Sequence, residues 1–115
     1  MVYRARRRYT SAYLWSNVNA QLALKALSEP RRCEILDLLR ASPMAVVEIA
    51  ERVDVTQQAV SQHLKVLEHA GLVEARREGT RHIYAVRPEG FAPVESFVRQ
   101  FWNEKLVNLK RESEK

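Results

Sequence analysis

Cysteine, glycine and long apolar runs are what this 115-residue chain has least of. Its one cysteine, Cys33, excludes an internal disulfide framework and an all-thiolate metal cage within one chain. Three glycines and four prolines provide neither a Gly-rich phosphate loop nor a low-complexity linker. No apolar run approaches the roughly 20 residues that a bilayer-spanning helix needs. The opening stretch, MVYRARRRYT, has arginines but no apolar core behind them, so it does not read as a secretory signal. There is no nucleophile elbow and no HExxH pair. Ser61 and His63, two apart on a helix, would point about 160° from each other and cannot act as nucleophile and base. The expectation is a cytoplasmic protein that is not an enzyme, carries no cofactor and has no membrane partner.

What is present is an ordinary globular composition with a basic excess. Hydrophobic residues make up 46% of the chain, enough for a core at a length typical of one domain. Nineteen Lys and Arg against fourteen Asp and Glu give a formal charge of +5. That excess is unevenly placed. Residues 1–10 hold Arg4, Arg6, Arg7 and Arg8 and no acid, while the segment 56–71 balances Lys65 against Glu68. A basic arm of this kind can lie along phosphate or enter a minor groove. The alternative is a solubilising tail. The chain therefore divides into an arm at 1–10, a folded domain at 11–112 and a tail at 113–115.

Periodicity places the elements. Leu14, Val18 and Leu22 recur at four-residue steps and predict a helix over 12–27. Ser28-Glu29-Pro30 restarts the chain into a second helix that ends near Arg40, with Pro30 in its first turn. A short third helix over 46–53 turns Val47, Ile49 and Ala50 inward. Asp54-Val55 forms a tight turn, since Asp tolerates the left-handed conformation such turns often need. Thr56 then caps a fourth helix that runs to Ala70 and stops at Gly71. Two strand-like runs follow, 72–77 and 81–86, joined by a three-residue turn Glu78-Gly79-Thr80. A final helix spans about 91–111. The order α-α-α-α-β-β-α, mostly helical with a small hairpin, is that of a winged helix-turn-helix.

The fourth helix carries the chemistry. With 100° per residue and Gln57 at zero, Gln57, Gln58, Ser61, Gln62, Lys65, Glu68 and His69 fall between about 0° and 140°. Ala59, Val60, Leu64, Val66, Leu67 and Ala70 occupy the opposite arc, and His63 alone interrupts it. A planar amide offers a donor and an acceptor together, which matches the N6 and N7 edge of adenine. Ser61 is short and lets the backbone approach a groove, and Lys65 can reach phosphate. The hairpin adds Arg76, Arg77, Arg81 and His82 near its tip, suited to flanking backbone. The candidate DNA-contacting set is Thr56, Gln57, Gln58, Ser61, Gln62, Lys65, Arg77, Arg81 and His82. The bland readings are a solvated helix face and an edge strand protected by charge.

The motifs ALSEPRRCEIL at 26–36 and VVEIAERVDVTQQAVSQHLKVLEHAGLVEARREGTRHIYAV at 46–86 resemble the ArsR/SmtB family of bacterial transcriptional repressors. The resemblance implies a homodimer that binds double-stranded DNA at an inverted-repeat operator. It also implies an interface built from the first and last helices. Many members sense metal through a cysteine pair in the third helix, where this chain has Ala45 and Val47. Others use Asp and His on the last helix, and residues 91–115 contain neither. The expectation is a member without metal ligands, whose last helix is aromatic instead.

Two apolar stripes fit a dimer. Tyr13, Leu14, Trp15, Val18 and Leu22 lie at one end of the chain, and Val94, Val98, Phe101, Trp102 and Leu106 at the other. Packing them across a two-fold axis would cover both, since large exposed apolar patches are rare on monomers. Cys33 is expected to be a small buried hydrophobe. The alternatives to a simple repressor are a winged helix that binds protein only, and a repressor switched by a thiol modification or a small ligand. The pattern names no effector.

Overall fold

The computed structural model describes residues 17–113, including side chains except those of residues 104 and 106–113. Four helices, a two-stranded hairpin and a long last helix follow in the expected order. They are α1 (Val18–Leu27), α2 (Pro30–Ala41), α3 (Val46–Val53), α4 (Gln57–His69), β1 (Val73–Glu78), β2 (Arg81–Val86) and α5 (Ala92–Ser113), with a 3-10 turn at Pro88–Phe91.

The first helix differs from its expected span. Asn17 has an extended backbone, and its Oδ1 accepts from the Ala20 amide at 3.1 Å, so α1 starts at Val18; residues 12–16 of the expected span lie outside the described residues. Its core face is Ala20, Ala23 and Ala26, all fully buried. Small side chains here let α1 lie close to its neighbours, while Val18 faces solvent. On α2 the start is fixed twice: Pro30 occupies the first turn, and Glu29 Oε2 accepts from the amides of Arg31 at 2.8 Å and Arg32 at 3.3 Å. Ile35, Leu36 and Leu39 are its buried face.

Helices α3 and α4 bury Ile49, Val53, Val60, Leu64 and Leu67 into one core with α2 and Leu72. Val47 points outward, against the expectation. The inward arc of α3 is centred on Ile49 and Val53, and a residue at position 47 lies more than about 90° from both.

The hairpin is antiparallel with Val73 opposite Val86 and Glu78 opposite Arg81. Its loop is therefore the two residues Gly79-Thr80, not three. Gly79 has φ 63° and Thr80 has no positive φ, the pattern of a turn whose twist matches the strands. One feature had no sequence signal: Met44 exchanges two backbone hydrogen bonds with Tyr84, at 3.0 and 2.8 Å. The residues before α3 thus form a one-residue third strand against β2.

Candidate nucleic-acid interface

Helix α4 is held rigidly at both ends. Asp54 sits in the left-handed region at φ 55°, ψ 47°, and turns the chain between α3 and α4. Thr56 Oγ1 accepts from the Ala59 amide at 3.1 Å. At the far end Gly71, with φ 79°, donates to Glu68 O at 2.9 Å, and Leu72 donates to Leu67 O at 2.9 Å. This paired closure uses the carbonyls that a helix end otherwise leaves unsatisfied. Arg31 of α2 braces the turn by donating to Val53 O at 2.8 Å.

The helix presents the expected polar face. Thr56, Gln57, Gln58, Gln62 and Lys65 are exposed and Ser61 is half-buried. Val66, placed on the apolar arc by the wheel, is 41% exposed because it lies at the arc's edge. His63 is half-buried, its Nε2 4.0 Å from Glu29 Oε2, on the side that faces the start of α2. It stands away from the glutamine face.

The structure divides the basic residues of the hairpin. Opposed residues of an antiparallel pair share a face. Arg77 and His82 are opposed and lie together on one face, with Ala75 and Tyr84. Arg81 opposes Glu78 on the other face, where Ile83 is buried. The Arg81 guanidinium donates to Glu48 Oε1 on α3 at 2.7 Å. Arg76 pairs with Glu74 at 3.3 Å. Among the described residues, Lys65 and Arg77 have no ion pair.

Glu48 was not singled out from the sequence. Its Oε1 also accepts from the Ala45 amide at 2.9 Å, closing the first turn of α3. Its carboxyl is held below the ordinary value of 4.5, first by that amide and then by the Arg81 and Arg52 guanidinium groups, against partial burial. The available signal was spacing, a Glu three residues after the cap position Ala45, but Ala in place of Ser or Thr there hides the capping pattern.

Of the residues assigned to a dimer interface, Val18, Val98, Phe101 and Trp102 are exposed, the last two at 60% and 59%. Phe97 and Phe101 meet edge to face at 5.1 Å. Leu22 and Val94 instead pack partly against the core. Tyr13, Leu14, Trp15 and the four arginines of the arm lie outside the described residues, as does the side chain of Leu106. Cys33 is exposed, against expectation, with Sγ donating to Leu27 O at 3.2 Å. It lies off the buried face of α2 formed by Ile35, Leu36 and Leu39. Among the described residues, no group of three or more His, Cys, Asp or Glu is placed to hold a metal ion. None of the described helices is long and apolar enough to cross a membrane.

A tight-turn helix pair followed by a hairpin defines a winged helix-turn-helix protein. Comparison with known proteins specifies it further. A helix-turn-helix domain family matches residues 27–76. The HTH-type transcriptional regulator Rv2034 of Mycobacterium tuberculosis is 42% identical over 85 residues, covering 74% of this chain and 79% of the relative. Rv0324 of the same organism is 40% identical over 85 residues, which are 38% of its own length. The homodimeric winged helix-turn-helix domain of Mb0332 from Mycobacterium bovis, a possible ArsR-family regulator, superposes with a TM-score of 0.63 at 36% identity. That match covers 86% of this chain and 90% of the other. The chain belongs to the ArsR/SmtB family of winged helix-turn-helix transcriptional regulators, a family of regulators and not of enzymes.

Proposed function

We propose that the chain is a repressor that binds an inverted-repeat DNA operator as a homodimer, without sensing metal. The observation that carries this reading is the exposed amide face of α4. Gln57, Gln58 and Gln62 stand on a helix fixed at both ends and backed by fully buried Val60, Leu64 and Leu67. Neutral amides on a rigid support suit base edges, where discrimination depends on geometry more than on charge. Lys65 and Arg77, which have no ion pair among the described residues, supply phosphate contacts, and His82 lies next to Arg77. Thr56 and Ser61 hold the helix close to the groove. Arg4, Arg6, Arg7 and Arg8 extend the phosphate contact as an arm.

The dimer rests on Val98, Phe101 and Trp102, which are exposed, and on the homodimeric relative. In a two-fold arrangement the reading helices lie about 34 Å apart, one turn of DNA. Metal-free operation rests on Ala45 and Val47 at the third-helix positions, which offer no ligand atom.

Anisotropy titration on the chain's own upstream region tests the reading. Gln62→Ala should weaken operator binding by about 1–3 kcal/mol and leave random duplex nearly unchanged. Equal losses on both duplexes would remove Gln62 from base reading.

A further inference from the structure

The ion pair between Glu48 and Arg81 joins residues 33 apart in sequence and spans two elements that touch different parts of the proposed interface. Glu48 belongs to α3, the first helix of the helix-turn-helix, and Arg81 opens β2 of the wing. Two further bonds run the same way. Met44, two residues before α3, exchanges both backbone hydrogen bonds with Tyr84 of β2. The wing is therefore fastened to the segment Met44–Glu48 at two levels. Backbone pairing holds its base, and a side-chain pair holds it near the tip. Beyond Arg81 only Gly79-Thr80 turns back to β1.

We infer that Arg81 anchors the wing through Glu48 and is not itself a phosphate contact, so that Glu48 and Arg81 are positioning residues for DNA recognition. Three observations carry this. Arg81 lies on the strand face opposite Arg77 and His82. Its guanidinium is already engaged at 2.7 Å, whereas Arg77 and Lys65 have no ion pair among the described residues. Glu48 is itself fixed by the Ala45 amide, so it offers Arg81 a set position and not a mobile counter-charge. Holding the tip still keeps Arg77 and His82 in register with the glutamine face of α4, and that register separates an operator from other DNA. The functional half of the inference rests on the DNA-binding reading above, while the anchor itself does not.

The experiment has two arms on the full chain. In the first, salt-dependent anisotropy titrations compare a selected operator duplex with a scrambled one. Each phosphate contact contributes about 0.9 to the slope of log K against log salt. Arg77→Ala should lower that slope by about 0.9, and Arg81→Ala should leave it unchanged while reducing operator preference by about fivefold. Glu48→Gln keeps an acceptor for Ala45 but releases Arg81 to find phosphate, so its slope should steepen by about 0.9 on scrambled DNA. A slope in Arg81→Ala that falls as in Arg77→Ala would overturn the inference.

In the second arm, amide hydrogen exchange is read on the free protein. Glu48→Gln and Arg81→Ala should both speed exchange in residues 77–83 and leave α4 unchanged. Unaltered wing exchange in both single variants would overturn the anchor whatever DNA does. If the wild-type chain shows no operator preference while the wing exchange behaves as expected, the DNA-binding reading fails and the anchor stands.

Discussion

At the scale of single residues, the turn before α4 depends on one backbone conformation. Asp54 is the one described non-glycine residue with positive φ, at 55°. Asp and Asn tolerate that region because their short polar side chains bond locally, while a β-branched residue meets its own carbonyl. Asp54→Val should lower stability by about 1–2 kcal/mol in urea unfolding, and Asp54→Gly should stay within about 0.5 kcal/mol of wild type. This position was legible in the sequence because its cause is local. Gly90 was not. A Cβ there would lie 1.8 Å from Gly71 O, so the 3-10 turn and the end of α4 touch backbone to backbone. Nothing within a few residues of Gly90 announces that approach. Cys33 and Val47 were misplaced for a related reason: a helix's apolar residues outnumber the positions its buried arc can hold, and only packing decides which are left outside.

At the scale of elements, the sequence specifies α4 more completely than the wing. The long period-3.6 pattern of α4, bounded by Thr56 and Gly71, is self-consistent along its whole length, and only Val66 at the arc's edge is exposed. The hairpin's register is set by a turn residue, and moving the loop from three residues to two changes which basic side chains share a face. The sequence groups Arg77, Arg81 and His82 only by their closeness to the tip, and the register places Arg81 on the face opposite the other two. The Met44–Tyr84 bridge and the Glu48–Arg81 pair are long-range contacts with no periodic trace. The pair has a pH dependence with a definite sign. The Glu48 carboxyl is depressed below 4.5 in the folded chain, so it stays ionised, and the contact intact, through the neutral and mildly acid range. Protection of the wing amides should persist down to pH 4.5 and fade as pH drops further through the depressed value. Fading that begins near pH 6 would point to another group. His63 is half-buried on α4 against Glu29 and is not part of this contact.

At the scale of the whole molecule, the last helix carries the exposed apolar surface on which the proposed dimer rests. Phe101 and Trp102 are exposed at 60% and 59%, beside Val98 at 44%, on a helix of 22 residues. Side chains of that size left in water favour association, and a two-fold contact covers them on both subunits at once. Trp102→Glu should convert the dimer to monomer in sedimentation velocity and cost operator affinity far more than random-duplex affinity. The charge of the molecule fits the same division of labour. The segment 56–71 is neutral, which on the proposed reading suits it to sequence discrimination, while salt-dependent affinity is assigned to Lys65, Arg77 and the arginines of the arm. The apolar stripe of the last helix is legible in the sequence as a surface the small core does not cover, and Val98, Phe101 and Trp102 are exposed, while Val94 packs partly against the core. The most direct measurement is selection of bound duplexes from a random pool by the purified chain, followed by sequencing. The account predicts an enriched inverted repeat with half-site centres about 10–10.5 base pairs apart, lost in Gln62→Ala. Recovery of no common sequence, or of a single unrepeated site that Gln62→Ala still selects, would contradict it.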